Sequence, residues 1–234
     1  MEDLPESLVE EIVKRVTKRS DLNSLSLVSK RLFTIEAEQK ESIRVGCGLC
    51  LKTEDLVSLF SRFPNLRKVE IDYAGWAPSH PDQLDNHDLF VILSCCPSLT
   101  DLTLSCCSQI DDTGLGYLRY SGKLISLRLN STTEITSSGL LSAAVGCKTL
   151  SSLHLINCER IQSTEWLEYL LSGSLEELVV KNCSGIRLYD LVKFDQGWIK
   201  LRKLEIKMKG YSFFMGCSHE RYDHMEIDSR EIDY

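Results

Sequence analysis

Apolar and polar positions alternate along most of this chain in short bursts that recur at a nearly constant interval. Leu99-Thr-Asp-Leu102-Thr-Leu104-Ser-Cys-Cys107-Ser-Gln-Ile110 and Leu150-Ser-Ser-Leu153-His-Leu155-Ile-Asn-Cys158-Glu-Arg-Ile161 share the pattern Leu-x-x-Leu-x-Leu-x-x-Cys-x-x-Ile without a gap. Residues 175–186 repeat it, with Val180 in place of one leucine, and residues 124–135 repeat it with Thr132 in the cysteine slot. Leu66 to Ile71 and Leu201 to Ile206 keep only the first half, and Ile43 with Val45 falls one period ahead of Val69 and Ile71. The resulting intervals are 26, 33, 25, 26, 25 and 26 residues, so the chain holds about seven copies of one structural unit.

The residue types have a physical cause. Leu-x-Leu has the period of a strand, which sends its leucines to one face and the intervening residues to the other. The cysteine or threonine that follows is small enough to turn inward beneath the bend. Asp112-Thr-Gly114-Leu115, Ser137-Ser-Gly139-Leu140 and Ser163-Thr-Glu-Trp166 each open a return helix, and Ser, Thr and Asp are good N-cap residues. One unit cannot bury its own leucines, whereas stacked units share a continuous core. The pattern resembles the cysteine-containing class of leucine-rich repeats over residues 43 to 207, with the repeat region set at 42–207. That resemblance implies an α/β fold: a short right-handed solenoid of β-α repeats with a parallel sheet on its concave face. The single interval of 33 marks an inserted loop over 74–86, where two prolines and a glycine forbid regular structure.

Residues 1–41 lack the repeat and predict two or three short helices. Pro5 and Glu6 suit a helix start, and Leu8, Ile12 and Val16 follow at spacing four, flanked by Val9 and Val13. Ser20-Asp21 predicts the cap of a second helix carrying Leu22, Leu25 and Val28, and a third runs through Leu32, Phe33 and Ile35. A helical module this small gains from a partner that covers part of its apolar surface.

Leu4-Pro5-Glu6 with Leu8 and Ile12, followed by Asp21-Leu22-x-x-Leu25-x-Leu27-Val28-Ser29-Lys30-Arg31, resembles the F-box, and most of all that of plant F-box/leucine-rich-repeat proteins. An F-box directly before leucine-rich repeats is that family's usual arrangement. The resemblance implies a substrate receptor of a cullin-type ubiquitin ligase. Leu4, Pro5, Leu8, Ile12, Leu22, Leu25 and Val28 would contact the adaptor subunit, of the S-phase-kinase-associated protein family, and through it a cullin. The repeats would hold an unknown protein substrate. One departure from the F-box pattern is Leu32-Phe33 at the consensus aromatic position.

Composition narrows the alternatives. Hydrophobic residues make up 43% and charged residues 26%, enough apolar mass for a core. The net charge of −7, with scattered lysines and arginines, argues against a nucleic-acid partner. No apolar run approaches the ~18–20 residues that span a bilayer, and the N-terminus lacks the pattern of a secretory signal, so a cytoplasmic or nuclear protein is expected, with no membrane partner. Ten cysteines then fit buried thiols better than a disulfide framework. Cys47-Gly-Leu-Cys50 has no second half-site, and Cys217, His219 and His224 make only three ligands, so neither metal nor cofactor is expected. The stretch 208–234 predicts a polar, acidic, disorder-prone tail. No Ser-His-Asp set, phosphate loop or carboxylate pair stands in recognisable context, and no enzymatic chemistry is expected.

The outward strand positions are polar and mixed in sign. Seven strands ~4.8 Å apart form a strip only ~30 Å long, too shallow to enclose a small molecule. Arg128 and His154 at mid-strip, with Trp76 in the inserted loop, are the candidate substrate contacts, because Trp and Arg are over-represented at binding hot spots. Two readings remain open: a ligase receptor, and a non-catalytic repeat scaffold whose N-terminal helices serve only as a cap.

Overall fold

The computed structural model describes residues 4–16, 18–46, 51–77, 80–171, 174–192, 200–208 and 211–215. Three helices come first: α1 (Glu6–Lys14), α2 (Arg19–Ser26) and α3 (Lys30–Gln39). Strand and helix then alternate as β1 (Ser42–Gly46), α4 (Thr53–Ser61), β2 (Lys68–Asp72), α5 (Asn86–Cys95), β3 (Asp101–Ser105) and α6 (Asp112–Gly116), with a 3-10 turn at Tyr117–Tyr120. The alternation continues through β4 (Ser126–Asn130), α7 (Ser137–Gly146), β5 (Ser152–Ile156), α8 (Glu165–Leu171), β6 (Glu177–Lys181), α9 (Leu188–Val192) and β7 (Lys203–Met208), and β8 (Tyr211–Met215) closes the series. α2 begins at Arg19, ahead of the cap predicted at Ser20-Asp21, and Lys18 stands at its N-cap.

All eight strands lie in one sheet in chain order, and β1 to β7 run parallel. The register carries the sequence period directly: Ile43, Val69, Leu102, Leu127, Leu153, Leu178 and Leu204 stand side by side across the seven strands. Each interval is therefore one coil. The long interval leaves the register intact because its extra residues lie between β2 and α5, outside the sheet. The inward strand residues and the apolar sides of the helices form one continuous buried cluster, in which Trp166, Phe60 and Leu115 are fully buried.

The cysteine slot behaves as its size requires. Cys107, Thr132 and Cys158 are fully buried and Cys183 nearly so. The thiols reach back to the preceding coil, from Cys107 to the Ile71 carbonyl (3.7 Å), Cys158 to Leu129 (3.4 Å) and Cys183 to Leu155 (3.6 Å). Burial pushes the Cys107 thiol up to about 12, so it is a packing group and not a nucleophile. The residue just before each slot takes a left-handed backbone: Cys106, Ser131, Asn157 and Asn182, with φ between 51° and 55°. Their amides bond to the next coil, as in Asn157 N–H to the Lys181 carbonyl (2.8 Å) and Asn182 N–H to Lys207 (2.7 Å). This turn ends the strand and directs the following side chain inward.

The return helices are also tied coil to coil. Asp111 caps α6 by accepting from the Thr113 amide (2.7 Å), and Asn86 bonds Asp111 from the coil before. Asp112 accepts from both the amide and the hydroxyl of Thr136, the cap of α7. Here the glycine of the Gly-Leu pair has a steric cause: a Cβ on Gly139 would collide with Asp112 of the preceding coil.

Past residue 207 the structure departs from a featureless tail. β7 extends to Met208, and β8 pairs antiparallel with it, Ile206 opposite Phe213. An eighth strand thus covers the backbone edge that the last parallel strand would otherwise expose.

A contrast of two glycines tests the stacking. Gly139→Ala should lower stability by about 1–3 kcal/mol through overpacking. Gly116→Ala, with nothing near the added methyl, should be neutral or slightly stabilising. Urea unfolding of the two variants should separate them; equal effects would mean that the coils do not press together at the helix starts.

Candidate functional site

Two surfaces could serve a partner protein, one on the N-terminal helices and one on the open sheet face. α1, α2 and α3 form a small core of their own from Val9, Val13, Leu32 and Ile35, with Leu22 and Leu25 packed against it. This core is separate from the solenoid cluster, which takes Ala37 from the end of α3. On α1 the flanking valines turn inward, while Leu8 (51% exposed) and Ile12 (48%) face solvent. Leu4 and Pro5 are exposed, Val28 is 71% exposed, and Leu27, which no sequence argument marked as a contact, is 87% exposed. The Arg31 guanidinium donates to the Leu4 carbonyl (2.8 Å), which holds Leu4 at the same end of the module as Val28, three residues before Arg31. The seven expected adaptor contacts therefore divide: Leu4, Pro5, Leu8, Ile12 and Val28 lie on the outside, and Leu22 and Leu25 are half-buried supports.

The module is fastened to the solenoid by a compact ionic and aromatic joint. Buried Glu36 of α3 accepts from Arg62, just after α4 (2.9 Å), and lies 3.6 Å from Lys40. The Arg62 guanidinium stacks over the Phe33 ring (3.8 Å to its centroid), and Asn65 donates to the Glu38 carbonyl (2.8 Å). Arg stacked on an aromatic face while paired with a carboxylate is held in both tilt and position. Phe33, beside the expected consensus aromatic site, thus serves the joint.

On the open sheet face Arg128 and His154 are register neighbours on β4 and β5. Trp76 is not with them: it lies in the loop after β2, half-buried against Tyr73 (5.6 Å between ring centroids) and His80 (4.2 Å). Several outward positions are covered by their taller neighbours, among them Thr103, Ser105, Ser126 and Val179. Most charges on the face are paired across strands: Arg44 with Asp72, Lys203 with Glu177 (2.6 Å) and Lys181 with Glu205 (2.5 Å).

Glu177 is the electrostatic centre of this part of the face. Burial alone would raise its pKa, but hydrogen bonds from Lys203 and Ser152, with the close approach of His154, hold the carboxylate down at about 2. Burial pushes His154 below the ordinary imidazole value, and the pull of Glu177 only partly offsets this. His154 Nε2 lies 3.3 Å from Glu177, off-line for a hydrogen bond of good geometry. The imidazole is therefore neutral near pH 7.

Among the described residues no three His, Cys, Asp or Glu side chains come together to hold a metal, and no helix is long and apolar enough to cross a membrane. Cys47 and Cys50, and likewise Cys217, His219 and His224, lie outside the described residues.

Fold and surfaces define a repeat protein with a helical N-terminal module and an open sheet face. No protein-family model matches the chain. It is similar to F-box/LRR-repeat protein 12 of Arabidopsis thaliana, with 24% identity over 156 residues, 66% of this chain. The chain spans about a third of that protein's length, the matched segment being 34% of it.

Two measurements probe these surfaces. Glu36→Ala should cost about 2 kcal/mol, less than a fully buried pair because Arg62 keeps some water. Hydrogen exchange should then quicken in α1–α3 while β3–β6 stay protected; uniform quickening would deny that the joint is local. Acid titration checks Glu177. Its folded pKa lies below the ordinary 4.5, so its contribution is complete above pH 4.5 and is lost as pH falls toward 2. Lys203→Met should flatten Tm against pH in that window, and an unchanged slope would remove Lys203 as the cause.

Proposed function

We propose that this chain is a substrate-recognition subunit of a cullin-RING (SCF-type) ubiquitin ligase, with an F-box at its N-terminus and leucine-rich repeats that bind the target for proteasomal degradation. One observation carries the reading. The N-terminal helices complete a core of their own and still leave Leu4, Leu8, Ile12, Leu27 and Val28 in water. A module that were only a cap would turn such residues toward the coils, because exposed clustered apolar side chains mark a docking surface. The F-box-like motif on these same residues and the partial similarity to an F-box/LRR-repeat protein support the identity of the partner as the S-phase-kinase-associated adaptor, and through it a cullin.

The role is positioning, and no chemical step falls to this chain. Adaptor contact on the outer side of α1 and the α2–α3 turn leaves the open sheet face free for a target. The Glu36–Arg62 joint, on a different side of α3, fixes the two surfaces relative to each other. Holding a target lysine near a ubiquitin-charged enzyme converts a bimolecular encounter into a local one, which is the source of the rate gain.

Capture of recombinant adaptor by the full chain tests the proposal. Leu8→Asp or Val28→Asp should lower adaptor affinity by about a hundredfold, the loss expected for a hot-spot side chain. Val57→Asp, on α4 and also exposed, should leave it unchanged. Failure of the unaltered chain to bind adaptor would leave the scaffold reading in its place.

A further inference from the structure

The middle of the open face holds polar groups that the chain itself does not satisfy. Arg128 is exposed, and among the described residues it makes no ion pair and donates no hydrogen bond, unlike Arg44, Lys181 and Lys203 on the same face. Beside it in register stands Thr103 of β3, and two residues earlier on its own strand, on the same face, stands Ser126. Both residues are largely covered, each being 7% exposed, but their hydroxyl oxygens keep contact with water and have no hydrogen-bond partner among the described residues. Two water-accessible hydroxyls that the chain leaves unused, beside an unpaired guanidinium, make a polar recess open to an acceptor.

The charge of the missing acceptor follows from what surrounds it. His154, on the other side of Arg128, is neutral near pH 7. Asp101 sits opposite Ser126 in the register, with one oxygen accepting from the Thr100 hydroxyl (2.7 Å), and Glu177 is already engaged by Lys203 and Ser152. The recess therefore offers one uncompensated positive charge with a carboxylate close by. That suits a single negative charge and disfavours a dianion. A guanidinium fork with two hydroxyl donors matches the planar oxygens of a carboxylate.

We propose that Arg128, Thr103 and Ser126 form the anchor for an Asp or Glu side chain of a protein segment laid across the open sheet face. The inference rests on the receptor reading only in naming that segment as part of a ligase target. Arg128 supplies the charge-assisted bonds, and the hydroxyls of Thr103 and Ser126 take remaining lone pairs. The neighbouring pairs Lys203–Glu177 and Lys181–Glu205 are closed to a ligand carboxylate.

A bead-displayed nonapeptide library, panned on the full chain and sequenced, provides the test. Peptides with one acidic residue should be enriched about ten- to a hundredfold over their Gln-matched counterparts, the range of a charge-assisted hydrogen bond. Arg128→Gln should abolish that preference, and Arg128→Glu should shift selection toward Lys or Arg. Thr103→Val should reduce the preference several-fold, and Lys207→Gln, at the edge of the face, should not. Unchanged Tm in each variant keeps the comparison with a folded chain. Equal enrichment of Glu and Gln peptides, no enrichment at all, or retention of acid preference in Arg128→Gln would overturn the assignment. Stronger selection of phosphoserine than of Glu would overturn the carboxylate in favour of a phosphorylated target. Adaptor capture by the same samples keeps the two proposals distinguishable: its loss with acid preference intact removes the ligase, and its retention without acid preference removes only this anchor.

Discussion

No coil of this protein can bury its own strand leucines, and that single deficit dictates the rest of the molecule. Leu127 is covered because Leu102 and Leu153 stand beside it in register and Leu115 and Leu140 lie in the same cluster. Each coil is thus both core and lid for its neighbours, and stability depends on exact repetition of the register. The secondary devices serve that repetition. The left-handed residue after β3, β4, β5 and β6 ends each at the same point, the small cysteine or threonine fits under the turn, and glycine at the starts of α6 and α7 lets one coil touch the next. At the last parallel strand the repetition stops, and the antiparallel β8 takes the place of a further coil along the backbone edge.

The N-terminal helices obey a different economy of surface. They have a core of four buried side chains, too small to use all of their apolar residues. The surplus faces outward on α1 and at the α2–α3 turn, while the joint to the solenoid is made by a carboxylate, two cations and two phenylalanine rings. A polar joint with defined geometry sets orientation without consuming the outward apolar surface. The two candidate binding surfaces are therefore independent in chemistry: one greasy and helical, the other polar on a sheet.

Much of this was legible in the residues. The period of Leu-x-Leu placed every parallel strand, including the degenerate Ile43–Val45, because a side-chain alternation of two can be satisfied only by a strand with one buried face. The cysteine slot was legible because only a small side chain fits there, and the inserted loop because Pro and Gly exclude regular structure. The helices were harder. Leu8 and Ile12 share a face, as do Val9 and Val13, and either pair could have been the inner one. β8 carries no repeat signature, so its pairing was invisible to a search for periodicity. Trp76 was marked by residue type alone, and its tilted packing against Tyr73 and His80 takes it away from the strip.

By itself, then, the sequence determined the architecture of the solenoid, since periodic burial is a local property that each repeat states again. Only the tertiary structure decided which apolar side chains of the N-terminal helices are left to solvent, and which charges of the open face are already spent on one another. Both depend on neighbours distant along the chain: Val9 and Val13 pack with Leu32 and Ile35, Lys203 finds Glu177, and Arg128 finds no carboxylate among the described residues. Pairing in space, unlike periodicity, leaves no mark along the chain.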